Sequence, residues 1–449
     1  MTLDYKKIAV LGFSPRTGLE VVKYLLNFDV NIIVSDAKPK TELEDLISQL
    51  DDEKIEYDLG SKGSKILESE LIILSPGVPY DLEILKKARE QGIETISEIE
   101  FAFRQSKAEI IAVTGTNGKT TTTELLAAML FDLNGKKIKA AGNIGLPFIS
   151  IIKDLEEGEK VILELSSFQL EAVKDFKAKI AIYLNYSPDH LDRHQTELNY
   201  KNAKKNIFSN QNSADYALLN FDDPYLYQLK DQLQSEVIGL SFKRKEADLI
   251  IKNNQAYYKK DKINLLDFST INLPGKHNQK NAAFAALAAY TVGQSIEKIQ
   301  QAAENYKLQS HRMEIINNSS GYLIVDDSKA TNPDSTLKAL SSLDKDIILI
   351  AGGQDRNADF SKLKQVVNDR VKTLILLGEA ADKLASLFKE NEIEIIKVKT
   401  MEAAAELGAK RLRQDRALLL SPACPSWDMF SSYKERGEIF RKTVLKYID

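Results

Sequence analysis

Ala112-Val113-Thr114-Gly115-Thr116-Asn117-Gly118-Lys119-Thr120-Thr121 is the stretch on which the reading of this chain turns. The apolar run 110–113 predicts a buried strand, and 120–130 predicts a helix. A glycine-rich turn between them, closed by Lys-Thr, suits a nucleoside triphosphate. Backbone N–H groups and the helix N-terminus face the phosphates, the lysine offsets charge and the threonine hydroxyl reaches Mg2+. The full pattern asks for Gly where Val113 stands, so this is a shortened Gly-x-x-Gly-Lys-Thr form. A plain glycine turn with a surface lysine is the competing reading, and the flanking strand and helix weigh against it. The stretch points to use of ATP or GTP.

At 449 residues the chain is long enough for about three domains. With 43% hydrophobic and 28% charged residues its composition is that of a soluble protein, and a net charge of −4 leaves no basic excess for nucleic acid. The single cysteine, Cys424, excludes an internal disulfide and fits a reducing cytoplasm. The polar start, residues 1–7, leads into a strand and predicts no secretory leader. No apolar run reaches the roughly 18 residues that span a bilayer.

Strands are expected at 8–11, 30–35 and 71–74, with a glycine turn at 12–18 and a helix at 19–26. Such alternation argues a parallel sheet. Asp36, ending the second strand, suits a ribose or a base. Gly12-Phe13-Ser14-Pro15-Arg16-Thr17-Gly18 is not Gly-x-Gly-x-x-Gly, so a nucleotide-sized ligand is favoured over a dinucleotide, with a plain glycine turn as the even alternative. Residues 97–107 link into the phosphate-loop domain, which carries further strands at 161–165, 180–184 and 216–219. Short β-like stretches at 237–240, 248–251 and 256–258 predict an antiparallel flank. Helices follow at 278–290 and 296–305. A third unit begins near Lys307, with strands at 322–325, 347–351, 374–377, 393–398 and 417–420 and its ligands beyond their C-terminal ends. The expected fold class is α/β in three domains. These are Rossmann-like over 1–97, a central phosphate-loop ATPase-type domain with an antiparallel flank over 98–306, and Rossmann-like over 307–449.

Several motifs carry chemistry. Glu164 interrupts an apolar strand, which suits a bound Mg2+ unless the strand is half-exposed and the carboxylate solvated. The turn Gly142-Asn143-Ile144-Gly145 is weak alone, but it comes one helix and one strand after the phosphate loop. Asp189, His190, Asp192, Arg193 and His194 crowd the loop after 180–184 and face a metal or phosphate, with His194 a possible bystander. The basic helical segment 200–208 reads from composition as a solvated face. Asn278 and Asn281 lie three apart and share a helix face; they read a base edge, or Asn278 caps the helix. Residues 311–314 and 326–333 border the third unit's first strand and suit a phosphate and ribose. Residues 421–428 follow its last strand, where Cys424 lacks a histidine partner for nucleophilic work.

In this order the motifs resemble the Mur ligases, ATP-dependent amide-forming enzymes of peptidoglycan precursor synthesis. The resemblance runs from Ile8 to the C-terminus. Residues 163–170, 326–332 and 421–428 look like the D-glutamate-adding branch, while the phosphate loop would also fit siblings adding other amino acids and folylpolyglutamate synthase. The resemblance implies that Ser14, Asp36, Ala37, Lys38, Ser75, Gly77 and Asn143 hold UDP-N-acetylmuramoyl-L-alanine. It implies that Gly115, Thr116, Asn117, Gly118, Lys119, Thr120, Thr121, Asn278, Asn281, Arg312 and Asp327 hold ATP. Thr120, Glu164, His190 and Lys204 are implied to surround Mg2+, with Lys204 carbamylated by CO2, against the solvated reading of its helix. Lys329, Thr331, Arg356, Ser426, Trp427 and Tyr433 are implied to bind D-glutamate. Lys119, His190, Lys204 and Lys329 are the implied catalytic residues. The loop 12–18 is one residue longer than the family's usual one, and Trp427 is bulky beside a glutamate. The expected partners are the two small-molecule substrates, with no nucleic acid, no membrane insertion and a cytoplasmic monomer. A nucleotide switch without catalysis is the rival from another class; it needs no amino-acid pocket.

Overall fold

Runs of Ile, Val and Leu buried on both faces build three sheets. The computed structural model describes residues 3–50, 53–133, 135–136, 138–307, 310–316, 318–356, 358–388 and 393–448. Residues 1 and 2 of the polar start lie outside the described residues.

In the first sheet Ile55–Leu59, Asn31–Asp36, Lys7–Leu11, Leu71–Leu74 and Glu94–Ser97 lie side by side, all parallel. A parallel sheet must be covered on both faces, and Leu71–Leu74 shows the consequence as a fully buried Leu-Ile-Ile-Leu. The strand order reverses between Lys7–Leu11 and Leu71–Leu74. The turns 12–18 and 75–78 therefore sit at a switch point, where α/β sheets take ligands. Ile55–Leu59 and Glu94–Ser97 were not expected. Both are edge strands, short and carrying charge, so their sequences lack the apolar run.

Residues 97–107 are more than a link. Ser97 accepts a hydrogen bond from the Glu100 amide and caps the helix Glu98–Gln105, which buries Glu98, Ile99, Glu100, Phe101 and Ala102. The Glu100 carboxylate accepts from the amides of Lys174, Asp175 and Phe176 and from Arg104, so its charge is fully matched.

The second sheet runs Ile263–Asp267, Gln255–Tyr258, Leu249–Lys252, Glu236–Ser241, Tyr216–Asn220, Ile180–Tyr183, Glu109–Thr114, Lys160–Glu164, Lys139–Gly142. The antiparallel flank is present but begins one strand later than expected. Glu236–Ser241 pairs in parallel with both neighbours. It meets Leu249–Lys252 only at Leu240 and Ser241, so the short connection 242–248 suffices where a full parallel overlap would need a crossover. Antiparallel pairing is confined to the last three strands.

The third sheet runs Glu314–Ile315, Leu323–Asp326, Arg416–Leu420, Asp346–Gly352, Val371–Leu377, Glu394–Lys397, parallel except at the first pair. Its switch point lies at Arg416–Leu420, beside Leu323–Asp326 and Asp346–Gly352. The chain divides into two compact units. One comprises Met1–Tyr186, Thr196–Ile271 and Asn278–Tyr306, and the other Ser187–Gln195, Asn272–His277 and Lys307–Asp449. Among the described residues no helix is long and apolar enough to cross a membrane.

Candidate active site

The phosphate loop leaves the strand Glu109–Thr114 and enters the helix Lys119–Met129 through Gly118, whose φ is +87°. A Cβ there would stand 2.4 Å from Oδ1 of Asn281, so only glycine lets the loop meet that amide. The amides of Thr116 and Asn117 donate to the backbone oxygen and Oδ1 of Asn185, and Nδ2 of Asn185 donates back to the Asn117 oxygen. At this turn the helix start, 118–121, could hold an anion, because its amides precede the first intrahelical bond. Nζ of Lys119 donates to the carbonyls of Gly115 and Thr116 at 2.9 and 3.0 Å. Thr120 is half-buried and Thr121 buried in the helix's first turn.

Lys204 corrects the solvated-face reading of 200–208. It is 1% exposed, and its Nζ donates to the Gly115 carbonyl at 2.9 Å. Two ammonium groups thus share one carbonyl oxygen at the loop. Tyr200, Ala203 and Lys204 are the buried face of the helix Glu197–Lys205. The Tyr200 hydroxyl reaches Oγ1 of Thr116 at 3.3 Å, and its ring lies 4.8 Å from the Lys204 ammonium. Glu164 is buried as well, which excludes the half-exposed strand. Its Oε1 accepts from Nδ2 of Asn143 at 2.7 Å, and its Oε2 is buried without a hydrogen-bond partner. Asn278 lies inside the helix Lys276–Thr291 and does not cap it; its Oδ1 accepts from Asn281 at 3.4 Å.

At the first sheet's switch point, Ser14 Oγ accepts from the Thr17 and Gly18 amides and shapes the turn. Asp36 accepts from the amides of Phe13 and Lys38, bracing the same turn from the neighbouring strand. Ser75 Oγ donates to the Gly12 carbonyl at 2.6 Å. Ala37, Lys38 and Gly77 are exposed beside them. Seven expected residues thus fall into two groups: six around this turn, and Asn143 at Glu164.

In the second unit, loops after three neighbouring strands carry six of the remaining expected residues. After Leu323–Asp326 come Asp327, Lys329 and Thr331; after Arg416–Leu420 come Ser426 and Trp427; after Asp346–Gly352 comes Arg356. Burial pushes the Asp327 carboxyl up to about 7, although Ser421 Oγ and the Met313 amide donate to it. Nζ of Lys329 lies 5.0 Å from the centre of the Tyr433 ring. Ser426 is buried, Trp427 is 61% exposed, and Nε of Arg356 donates to Gln354. Thr331 is half-buried, and Nε of Arg312 is buried without a partner. His190 has φ +53° and sits beside Asp189, whose Oδ2 accepts from Asn332. His194 is buried, and the Asp192 side chain lies outside the described ones. Burial pushes the Cys424 thiol up to about 12, which agrees with an inert cysteine.

Family models described as "Mur ligase MurD-like, N-terminal domain", "Mur ligase middle domain" and "Mur ligase, glutamate ligase domain" match residues 6–97, 113–289 and 311–424. The chain belongs to the Mur ligase family. A protein of Thermoanaerobacter pseudethanolicus named UDP-N-acetylmuramoylalanine--D-glutamate ligase is 40% identical, with 99% of each chain covered. One of the same name from Caldanaerobacter subterraneus is 38% identical, again over 99% of each. Among solved structures, the MurF ligase of Thermotoga maritima in complex with ADP aligns with a TM-score of 0.61 at 16% identity, over 93% of this chain and 95% of that one, which is a likeness of fold.

Against that family background, two residues stand out that motif reading did not place in the site. Asn185 clamps the phosphate loop. The Mur ligase variant Asn185→Ala is expected to raise KM for ATP about tenfold while leaving KM for the amino acid unchanged, read from ADP release. Arg436 is 1% exposed and donates to Ser328 Oγ, the Ser328 carbonyl and the Cys424 carbonyl, tying the loops that carry Lys329 and Ser426. Asn185 follows the strand Ile180–Tyr183, which neighbours Glu109–Thr114, at the C-terminal end where α/β sheets take ligands, a usable signal. Arg436 lies in a charged helix, Tyr433–Ile448, at i, i+4, i+8 spacing with the buried Phe440 and Val444, which marks a buried face but names no partner. His311, Glu314 and Asp326 bring ligand atoms within 4.8 Å of one another. Arg441 pairs with Glu314, and the hydrogen bond to Asp326 raises the His311 pKa, so the cluster works as an ion-pair network.

Proposed function

We propose that this Mur ligase joins D-glutamate to UDP-N-acetylmuramoyl-L-alanine in peptidoglycan precursor synthesis, with ATP cleaved to ADP and phosphate. The observation that carries the reading is full-length identity of 38–40% to relatives named for that reaction. A carboxylate is a poor acceptor for an amine at neutral pH. Transfer of the γ-phosphoryl group to the alanine carboxylate gives an acyl phosphate. The D-glutamate amine attacks its carbonyl carbon, phosphate departs and the amine loses a proton.

Gly115–Thr121 would hold the triphosphate, with Lys119 offsetting charge on the transferring group, and Asn278 and Asn281 would hold the base. Ser14, Asp36, Ala37, Lys38, Ser75, Gly77 and Asn143 would hold the uridine substrate; Lys329, Thr331, Arg356, Ser426, Trp427 and Tyr433 would receive D-glutamate. A hard divalent cation suits the orphaned Oε2 of Glu164, a buried carboxylate oxygen that is costly without a partner. Glu164, Thr120 and a carbamate on Lys204 would hold Mg2+, which would neutralise phosphate charge. The domain limits 1–97, 98–306 and 307–449 and a monomeric, cytoplasmic enzyme complete the proposal. The test is ADP release with UDP-N-acetylmuramoyl-L-alanine and D-glutamate, set against L-glutamate, L-lysine and L-alanine. Turnover should appear with D-glutamate alone. Equal turnover with another amino acid would remove the assignment.

A further inference from the structure

The guanidinium of Arg16 leaves the turn 12–18 of the first sheet and lands on the second. NH2 donates to the Gly142 carbonyl at 2.7 Å and NH1 to the Asn143 carbonyl at 3.1 Å. Both sheets belong to the same compact unit. The turn that receives Arg16 is tightly built. Gly142 has φ +99°, and a Cβ there would stand 2.5 Å from the Glu164 carbonyl oxygen. The Asn143 amide donates to that same oxygen at 2.7 Å, while its side chain holds Glu164 Oε1. Beneath lies Glu98, whose Oε1 accepts from the Ile149 amide. Burial pushes its carboxyl up to about 7, with the Ile149 amide and the Arg16 charge among the groups opposing.

A planar fork that donates to two successive carbonyls fixes the angle of the turn as well as its position. Arg16 therefore links the loop shaped by Ser14 and Asp36 to the Asn143–Glu164 pair through hydrogen bonds alone. We propose that Arg16 is a positioning residue for the uridine substrate, setting Asn143, which Glu164 braces and which meets the sugar-peptide end, against the loop that meets the nucleotide end. The inference rests on the reading of this unit as the site for UDP-N-acetylmuramoyl-L-alanine. Arg16 acts through Asn143 and makes no contact of its own with the diphosphate.

The test compares UDP with the whole substrate on the full chain. The parent must first bind UDP-N-acetylmuramoyl-L-alanine and turn it over; if it does neither, the functional reading fails and the role of Arg16 is not what failed. Given that, Arg16→Ala should bind UDP as the parent does, by calorimetry. Its affinity and KM for the whole substrate should weaken about tenfold, with KM for ATP and D-glutamate within about twofold. Arg16→Lys keeps the charge but loses the fork, and should recover about a third of the lost affinity. Weaker binding of UDP itself would make Arg16 a direct phosphate contact and overturn the proposal. So would an unchanged KM for the whole substrate, or a parallel rise of all three KM values. Arg16 is exposed, so its truncation is expected to leave the fold intact, which thermal unfolding checks.

Discussion

Lys119→Ala is expected to lower ADP release about a thousandfold or more, with the melting temperature close to the parent's. The Lys119 ammonium holds two carbonyls of the loop, those of Gly115 and Thr116, and it stands at the start of the helix Lys119–Met129. In the resting chain it therefore fixes the loop. In the proposed reaction, positive charge at that place would offset the negative charge spreading over the transferring phosphoryl oxygens, and little other covalent work would be asked of the protein. Alanine removes both. The loop retains its other anchors, since Asn185 holds Thr116 and Asn117 and Tyr200 reaches Thr116, so the fold should survive. Arg in the same place keeps the charge but brings a wider, planar head, and should recover little. The measurement is steady-state ADP release with both substrates present, beside thermal unfolding. Near-parental turnover in Lys119→Ala would remove the phosphate-loop assignment.

The phosphate loop was legible because its glycines and Lys-Thr are contiguous, and strand and helix flank it with clear periodicity. The rest of that site was less so. Asn185 reaches Asn117 across 68 positions of sequence, and Arg436 reaches Ser328 across 108. Contacts of that range follow from strand order, which periodicity does not contain. Lys204 is a different case. Tyr200, Ala203 and Lys204 occupy positions i, i+3 and i+4, the spacing of a buried helix face, but net charge over the segment masks it. Counting lysines gave a solvated helix, and counting faces would have given a buried one. The same limit explains the flank after Tyr216–Asn220. Alternating apolar residues identify a strand there but leave its direction open, and Glu236–Ser241 runs parallel to its neighbours. The edge strands Ile55–Leu59 and Glu94–Ser97 escaped notice for the reason they are tolerated at edges, since charge interrupts their apolar pattern.

Lys204→Ala is expected to cost at least about a hundredfold in turnover, and short carboxylic acids such as formate or acetate should restore part of it. The expectation follows from the meeting of two cations at Gly115. Two ammonium groups donate to one carbonyl oxygen there, and one of them belongs to a fully buried side chain. Taking an ammonium out of water is costly, and a second cation close by adds to the cost. Addition of CO2 to the Lys204 amine would replace that cation with an anion. The anion would sit near the Lys119 ammonium and serve as an oxygen ligand for Mg2+, as Glu164 would. An added carboxylate can fill the space that alanine opens and supply the same charge, which no acid could do if Lys204 acted only by holding the Gly115 carbonyl. Lys204→Gln separates these cases further. It retains a donor for that carbonyl and leaves no room for an added acid, so it should be inactive and refractory to rescue. Activity of Lys204→Ala close to the parent's, or loss without response to any small carboxylate, would exclude the carbamate and return Lys204 to a bracing role beneath the loop.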